Sequence, residues 1–324
     1  MYQGMIDLHL HLDGSLSIPF VQTYLKRCGQ SIPADLHAAL SVSPSCKSLT
    51  DYLERFSLPK RILQYADALE LSAYDLVKRL ALEGLIYAEI RFAPAFHCEL
   101  GLTQSNVVES VIRGVHHAMK EFPSIKIGLL LCMIVGDEHN QETLQTALHY
   151  HGNGVAGLDL AGPEGAVPLE AYKALFGKAK EAGLPFTIHA GECGSVDNIL
   201  KAVEFGAQRI GHGVAAVQDP TCMELLAERG TILECCFTSN LQTRAVSMPA
   251  AHPILSFYRH GLAVTVNTDN LTVSSTSLAK EHQALMRFFP LTDEDFLQMD
   301  YNAIRGAFLS NADKAQLVKH LKEH

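Results

Sequence analysis

The sequence predicts an α/β fold: a (β/α)8 barrel with extra helices after the first strand and at the C-terminus. Short β-rich segments alternate with longer helical patterns, which is typical of βα units around a parallel sheet. Eight such β-rich segments follow one another along the chain. Several helical patterns end on a turn glycine, as in KEAGLP, VEFGAQ, AERGT and YRHGLA, and a glycine there suits the passage from a helix into the next strand.

The eight predicted strands are short and mostly apolar, and they span residues 5–9, 85–92, 126–135, 154–159, 185–189, 209–212, 231–235 and 262–267. The predicted helices between them include residues 63–83, 105–121, 169–182, 196–205, 220–228 and 253–259. Residues 16 to about 62 form a long connection for one βα unit, so we expect extra helices there that cover part of the molecule. Two or more further helices are expected after Leu271.

The composition is that of a globular enzyme, and we expect residues 1–324 to form one metal-dependent hydrolase barrel domain. The chain carries 26 basic and 35 acidic residues, a formal charge of −9, with 48% hydrophobic residues. This acidic balance without a basic block argues against a nucleic-acid partner.

The longest apolar run, near residues 127–135, is far shorter than the ~20 residues of a bilayer span. The N-terminus MYQGMIDLHLHLDG lacks the basic region of a signal peptide, so we expect a cytoplasmic protein without a membrane partner.

The eight cysteines are scattered and form no C-x-x-C pair. This distribution argues against a disulfide framework and against a zinc knuckle, which needs closely spaced thiolates. We expect reduced thiols packed as small hydrophobic side chains.

A barrel places its catalytic groups at the carboxyl ends of the strands, on the face built by the βα loops. Residues able to bind a metal follow or end four predicted strands: His9 and His11 the first, His189 the fifth, His212 the sixth and Asp269 the eighth. This shared placement predicts a metal site more strongly than any one motif does.

The motif HLHLDG places two imidazoles on one strand. Residues two apart in a strand point to the same side, so His9 and His11 face the barrel axis while Leu8 and Leu10 face the helices. Two converging neutral imidazoles suit Zn²⁺ or a similar ion. An H-x-H pair is also common on surface strands, so this pair alone leaves both interpretations open.

The motif HAGE places a carboxyl three residues after His189. Gly191 allows a sharp turn, so Glu192 can project into the same mouth. In a mostly apolar pocket its pKa would be raised, which suits general acid–base catalysis. The alternative is a carboxylate favoured by the dipole of the following helix.

His212 lies between two glycines in RIGHG, where either a close ligand or a satisfied core histidine is possible. In VTVNTDN, Asp269 would complete a set of three histidines and one aspartate with an open position, which is the pattern of a catalytic zinc. Such a zinc lowers the pKa of its water toward ~7.

Together these motifs resemble the adenosine deaminase family of the amidohydrolase superfamily. IDLHLHLDGSL, DLAGPEG, IHAGE, RIGHG, CCFTSNLQT and VNTDN occur in the family's order between residues 6 and 270. The resemblance implies a zinc-dependent purine aminohydrolase with one Zn²⁺ per chain and a small-molecule purine nucleoside as its partner.

Carried over by position, the resemblance implies roles for individual residues. The implied metal ligands are His9, His11, His189 and Asp269. Glu192 resembles the proton donor to the purine ring nitrogen next to C6. His212 resembles the group that orients the hydroxide, from which Asp269 also accepts a hydrogen bond.

The implied substrate contacts come from His11, Asp13, Gly162, Asn270 and Phe56. Asp13 resembles the residue near the ribose 5′-hydroxyl, Gly162 the N–H that meets the other six-ring nitrogen, and Phe56 an apolar lid residue. Many family members carry a second aspartate where this chain has Asn270, and that carboxyl meets the purine N7. An amide donates a hydrogen bond at any pH, so asparagine preserves the contact.

The reaction implied is hydrolysis of adenosine or 2′-deoxyadenosine to the inosine product and ammonia, in purine salvage. Deamination of adenine, methylthioadenosine or aminofutalosine is the alternative within the family.

Two-metal amidohydrolases usually add a lysine at a middle strand end, and GLDLAG lacks one. The H-x-E with P-C-x-x-C signature of cytidine deaminases is missing. Non-enzymatic alternatives are a purine-binding barrel that has lost activity and a barrel with a structural metal.

Overall fold

The computed structural model describes residues 5–43, 46 and 48–323. Its strands follow the predicted order. They are β1 (Ile6–His11), β2 (Tyr87–Phe92), β3 (Lys126–Ile134), β4 (Val155–Ala161), β5 (Thr187–Ala190), β6 (Arg209–His212), β7 (Ile232–Cys235) and β8 (Ala263–Val266).

The strands close into a barrel. β1 to β4 pair in parallel in sequence order, and β5 to β8 do the same. The two halves join where the N–H of Leu158 donates to the carbonyl of Pro185 at 3.0 Å. They join again where Asp269, just after β8, exchanges backbone hydrogen bonds with His9 and His11 of β1 at 2.8 and 2.7 Å. The predicted (β/α)8 fold is confirmed, and the second seam runs through predicted site residues.

The α-helices of the described residues surround this barrel. They are α1 (Ile18–Arg27), α2 (Leu36–Leu40), α3 (Leu49–Leu53), α4 (Ser57–Ile62), α5 (Ala66–Leu82), α6 (Gln104–Glu121), α7 (Asn140–Tyr150), α8 (Lys173–Glu181), α9 (Val196–Phe205), α10 (Pro220–Arg229), α11 (Phe237–Gln242), α12 (Ile254–Arg259), α13 (Leu278–Phe288), α14 (Asp293–Gly306) and α15 (Asn311–Glu323). Short 3-10 turns join several of them, including Glu54–Phe56 between α3 and α4. None of these helices has the length and apolar character needed to cross a membrane.

Several boundaries differ from the prediction. β1 continues to His11, because its end pairs with Arg91 of β2 and with the backbone of Asp269, so His11 lies in the strand and not after it. The helix predicted over 63–83 begins at Ala66, because Tyr65 adopts the extended conformation of an N-cap. The helix predicted over 169–182 divides into a 3-10 turn, Leu169–Tyr172, and α8.

The apolar side chains of the strands pack outward against the helices. Leu8 lies in a buried cluster with Ala303 and Ile304 of α14 and Leu317 of α15, as expected for the residue between His9 and Asp7. The eight cysteines are free thiols; five are buried as expected, Cys98 is half-buried, and Cys28 and Cys193 are exposed.

The long connection after β1 carries the expected extra helices. Its contacts with the loop after β8 include a hydrogen bond from the N–H of Val42 to the carbonyl of Val273 at 2.9 Å. The hydroxyls of Tyr52 and Ser274 also lie 2.7 Å apart. These contacts hold α3, the Glu54–Phe56 turn and α4 over the carboxyl ends of the strands.

Candidate active site

A cavity of about 390 Å³ opens at the carboxyl ends of the strands, beneath the α3–α4 cover. This volume is in the range of pockets that enclose small molecules. Among its lining residues are most of the predicted site residues, namely His11, Asp13, Phe56, Gly162, His189, Glu192, His212, Asp269 and Asn270. His9 is fully buried beneath them.

The predicted metal ligands meet on one side of this cavity. Ring nitrogens of His9, His11 and His189 lie within 4.8 Å of one another, and so do ligand atoms of His9, His212 and Asp269. Asp269 Oδ1 lies 3.6 Å from His9 Nε2 and 3.4 Å from His11 Nε2. Strands far apart in the sequence thus bring four imidazoles and one carboxylate to a single point.

The ring atoms in this cluster are prepared to accept a cation. His9 Nδ1 lies 2.7 Å from Glu234 Oε2, while its Nε2 is buried without a hydrogen-bond partner in the described part of the chain. His189 Nδ1 lies 3.1 Å from Asp159 Oδ1. A carboxylate that accepts a hydrogen bond from Nδ1 fixes the ring proton on that nitrogen. The lone pair of Nε2 is then free to bind a metal. The residues present therefore fit a divalent cation that prefers imidazole and carboxylate ligands.

Buried ion pairs keep the two outer carboxylates charged. Arg91 donates from Nη1 to Asp159 Oδ2 at 3.1 Å and from Nη2 to Glu234 Oε2 at 3.0 Å. Arg209 donates from Nε to the other oxygen of Glu234. Burial alone would raise the pKa values of Asp159 and Glu234. Arg91 and Arg209 hold the pKa of Glu234 below its usual range, and the neighbouring His189 and Arg91 do the same for Asp159.

Two residues of the cluster have a left-handed backbone conformation. His212 has φ of 64° and Asp269 has φ of 60°, conformations that L-residues seldom adopt. Such strain costs on the order of 1–3 kcal/mol per residue and is found mainly at functional sites. The hydrogen bonds of β6 and of the β8–β1 seam hold these two residues in place.

Glu192 is buried in the cavity wall with Oε2 3.6 Å from His212 Nε2. Burial, followed by the negative charge of Asp269, raises the pKa of Glu192 to about 7, as the sequence predicts. Gly191 precedes it with φ of 71°, and a Cβ there would lie 2.4 Å from Ile199 Cδ1, so the turn requires glycine. The cap of the following helix α9 is Ser195, so Glu192 is not its N-terminal cap.

The loop that carries Glu192 is held by a second carboxylate, Glu164. Its Oε1 accepts the N–H of Gly191 at 2.7 Å and its Oε2 accepts the N–H of Cys193 at 2.8 Å. Asn198 of α9 donates to Oε1 at 2.9 Å. Glu164 therefore fixes the backbone on both sides of Glu192.

Helix α11 supports the opposite side of the cluster. Ser239 donates its hydroxyl to Asp269 Oδ2, and Asn240 Nδ2 lies 2.9 Å from His212 Nδ1. Glu281 of α13 accepts the N–H of Thr238 at 3.0 Å, near the start of α11.

The predicted substrate contacts line the rest of the cavity. Burial raises the pKa of Asp13 to about 6. Asn270 donates one Nδ2 hydrogen to Asp269 Oδ1 at 2.7 Å, which leaves one N–H for a ligand. Its Oδ1 rests against Gly14, where an added Cβ would lie 1.6 Å away. Phe56 lies in the 3-10 turn of the cover, next to Tyr52.

Sequence reasoning missed the residues that orient the cluster. Asp159, Glu164, Ser239 and Asn240 lie within the motifs DLAGPEG and CCFTSNLQT but received no role, and Arg91 and Glu234 lie outside every motif. A charged residue inside an otherwise apolar strand, as in AEIRF and ILEC, is the signal that was available, because a buried charge needs a partner.

The chain is similar to known deaminases over nearly its whole length. The sequence model described as adenosine deaminase matches residues 5–324. An adenosine deaminase of Haemophilus ducreyi is 39% identical over 330 residues, which cover 99% of this chain and 96% of the relative. The crystal structure of an adenine deaminase from Arthrobacter aurescens superposes with a TM-score of 0.90 at 25% identity, covering 99% and 98% of the two chains. An amidohydrolase structure from Burkholderia ambifaria with bound Zn matches in fold, with a TM-score of 0.86 at 21% identity, over 100% of this chain and 93% of that one.

Proposed function

Since this chain belongs to the adenosine deaminase family and is a hydrolytic deaminase acting on a C–N bond, we propose that it converts adenosine and 2′-deoxyadenosine to inosine and deoxyinosine. Ammonia is the second product, and the reaction serves purine salvage in the cytoplasm. One observation carries the proposal: a buried carboxyl with a pKa of about 7 stands beside a three-histidine, one-aspartate cluster in the same cavity.

The proposed cofactor is one zinc ion held by His9, His11, His189 and Asp269. Two observations support this assignment: His9 Nε2 has no hydrogen-bond partner among the described residues, and the Burkholderia amidohydrolase has bound Zn. When bound, zinc lowers the pKa of water and supplies a nucleophile near neutral pH.

The proposed proton donor is Glu192. A carboxyl with a pKa of about 7 still carries its proton in a large fraction of molecules at neutral pH, whereas an exposed glutamate does not. Transfer of that proton to the ring nitrogen next to C6 makes C6 more electrophilic. His212 and Asp269 then orient the attacking water, and ammonia leaves after proton transfer.

The proposed substrate contacts divide the cavity between base and sugar. The N–H of Gly162 and the remaining N–H of Asn270 would meet ring nitrogens of the purine. Asp13 would meet the ribose hydroxyl, and Phe56 would cover the base from above. The curated relative at 39% identity favours adenosine, while the adenine deaminase of Arthrobacter aurescens makes the free base the alternative substrate.

A substrate panel tests the proposal. Zinc-loaded protein is incubated with adenosine, 2′-deoxyadenosine, adenine, methylthioadenosine and aminofutalosine, and the loss of 6-aminopurine absorbance is followed. We expect the highest kcat/KM with adenosine, loss of turnover in excess chelator, and recovery with zinc. Turnover of adenine alone would identify the free base as the substrate in place of the nucleoside. If the zinc-loaded protein turned over none of these purines, the proposal would be contradicted.

A further inference from the structure

We propose that His252 and Asn240 form a hydrogen-bond relay that fixes the proton of His212 on Nε2, so that this ring donates a hydrogen bond into the cavity. All three side chains are buried. The tautomer stands on hydrogen-bond geometry, whereas its importance for turnover rests on the proposed function.

The relay begins at a backbone group. The N–H of Ile254, at the start of α12, points to His252 Nδ1 at 3.3 Å. A backbone N–H only donates, so Nδ1 must accept and carries no proton. Burial also lowers the pKa of His252 to about 3, so the ring is neutral and its single proton is on Nε2.

The second link sets the orientation of an amide. His252 Nε2 lies 3.1 Å from Asn240 Oδ1. Because that ring nitrogen carries a proton, its partner must be the amide oxygen and not the NH2 group. The NH2 group of Asn240 is then directed at His212, with Nδ2 2.9 Å from Nδ1.

The third link sets the tautomer of His212. An amide nitrogen donates and does not accept, so His212 Nδ1 presents its lone pair to Asn240. An imidazole whose Nδ1 is unprotonated is neutral and carries its single proton on the other ring nitrogen. That proton is on Nε2, the atom that lies 3.6 Å from Glu192 Oε2 at the cavity wall.

The relay distinguishes His212 from the neighbouring imidazoles. His9 and His189 contact carboxylates through Nδ1, so their Nε2 atoms are free to bind a metal. His212 contacts an amide donor through Nδ1, so its Nε2 carries hydrogen and cannot act as a ligand. His9, His189 and His212 thus separate into two metal ligands and one hydrogen-bond donor, according to whether a carboxylate or an amide contacts Nδ1.

The decisive variant is Asn240→Asp, which keeps the size of the side chain and replaces its NH2 group with oxygen. The oxygen that faces His252 can still accept, whereas the oxygen that faces His212 requires a proton on Nδ1. Ring nitrogen resonances of zinc-loaded protein labelled with ¹⁵N-histidine report the tautomer, and the signal that disappears in His212→Ala identifies this ring. We expect Nε2–H in the unmodified chain and Nδ1–H in the variant.

Turnover is measured on the same samples. In Asn240→Asp we expect kcat to fall by about 10²-fold or more, since the donor no longer faces the cavity, with KM changed by no more than about threefold. A proton on Nδ1 in the unmodified chain would overturn the proposal. So would a variant that keeps the Nε2–H tautomer and full kcat.

The role of His252 is tested by a matched set. His252→Phe removes the donor to Asn240, while His252→Gln retains an N–H at a similar distance, so we expect kcat to fall in the first and to be largely retained in the second. His97→Phe is the control, because His97 is equally buried and its ring nitrogens contact no partner in the described residues. Equal losses in His252→Phe and His97→Phe would contradict the relay. An unmodified chain with the expected tautomer but no purine turnover would contradict only the proposed function.

Discussion

Glu234 Oε2 lies 2.7 Å from His9 Nδ1, with both side chains fully buried and 225 residues apart in the sequence. The carboxylate orients the ring so that Nε2 faces His11, His189 and Asp269. Its charge is maintained by Arg91 and Arg209, which form ion pairs with Glu234 on opposite oxygens. Removing one member of a buried ion pair strongly destabilises the folded protein, so this network fixes the position of His9 among the predicted metal ligands.

Glu234→Gln should weaken zinc binding by roughly 10- to 100-fold, because a neutral amide holds the imidazole less firmly than a carboxylate does. Competition with a chromogenic chelator measures the affinity. Glu89→Gln is the matched control, since Glu89 is also buried and paired with Arg209 but has no imidazole contact among the described residues. Equal loss of zinc affinity in both variants would show that general destabilisation is responsible.

Glu164→Gln should lower kcat by about 10-fold with zinc affinity unchanged. The two carboxylate oxygens accept separate backbone N–H groups, from Gly191 and Cys193, and an NH2 group in place of one oxygen leaves an unpaired donor at a cost of about 1–3 kcal/mol. The loop that carries Glu192 then loses its fixed position. Steady-state kinetics together with zinc titration check this, and a fall in zinc affinity with kcat intact would be the opposite of the expected result.

Asn270→Asp should make catalysis more sensitive to alkaline pH. The amide now donates to Asp269 Oδ1 at 2.7 Å at any pH. An aspartate makes that contact only while protonated, and the neighbouring charge of Asp269 raises its pKa. We expect kcat/KM of the variant for adenosine to decline at higher pH relative to the unmodified chain. Parallel pH profiles would rule out this role for the amide.

Glu281→Gln should flatten the pH dependence of stability. Burial raises the pKa of Glu281 from 4.5 to about 7 in the folded protein. The stability that the protonated Glu281 carboxyl contributes is therefore complete below about pH 4.5. As pH rises from about 4.5 to about 7, the free energy of unfolding falls by about 1.4 kcal/mol per pH unit and this contribution is lost. A neutral glutamine avoids this loss, so the Tm of the variant relative to the unmodified chain should improve between pH 5 and pH 8. A Tm difference independent of pH would contradict this.

The inner part of the site was predictable because its residues occur in short local motifs. His9 and His11 share one strand, and Glu192 follows His189 by three residues, so strand periodicity and the placement of strand ends bring them into one mouth. Their individual roles remain predictions. Glu234, Arg91 and His252 were not predictable in this way, because their partners come from other strands and loops. Those pairings depend on how strands align across the closed barrel, which no local pattern records.

The presence of each strand and helix was also easier to predict than the residues at which it begins and ends. The β1 strand extends to His11 because of pairing with Arg91 and with the backbone of Asp269, both distant in sequence. The start of α5 depends on the extended backbone of Tyr65 inside a continuous helical pattern. In both places tertiary contacts or a single backbone conformation overrule the local pattern.

The proposed deamination is tested most directly by the turnover of adenosine by zinc-loaded Glu192→Gln beside the unmodified chain, with the zinc content of both measured. Glutamine keeps the size of the side chain but has no acidic proton for the purine ring nitrogen. We predict full zinc occupancy in both proteins and a fall in kcat of about 10²- to 10⁴-fold in the variant. Rapid turnover of adenosine by Glu192→Gln with zinc fully bound would contradict the role of Glu192 as the proton donor.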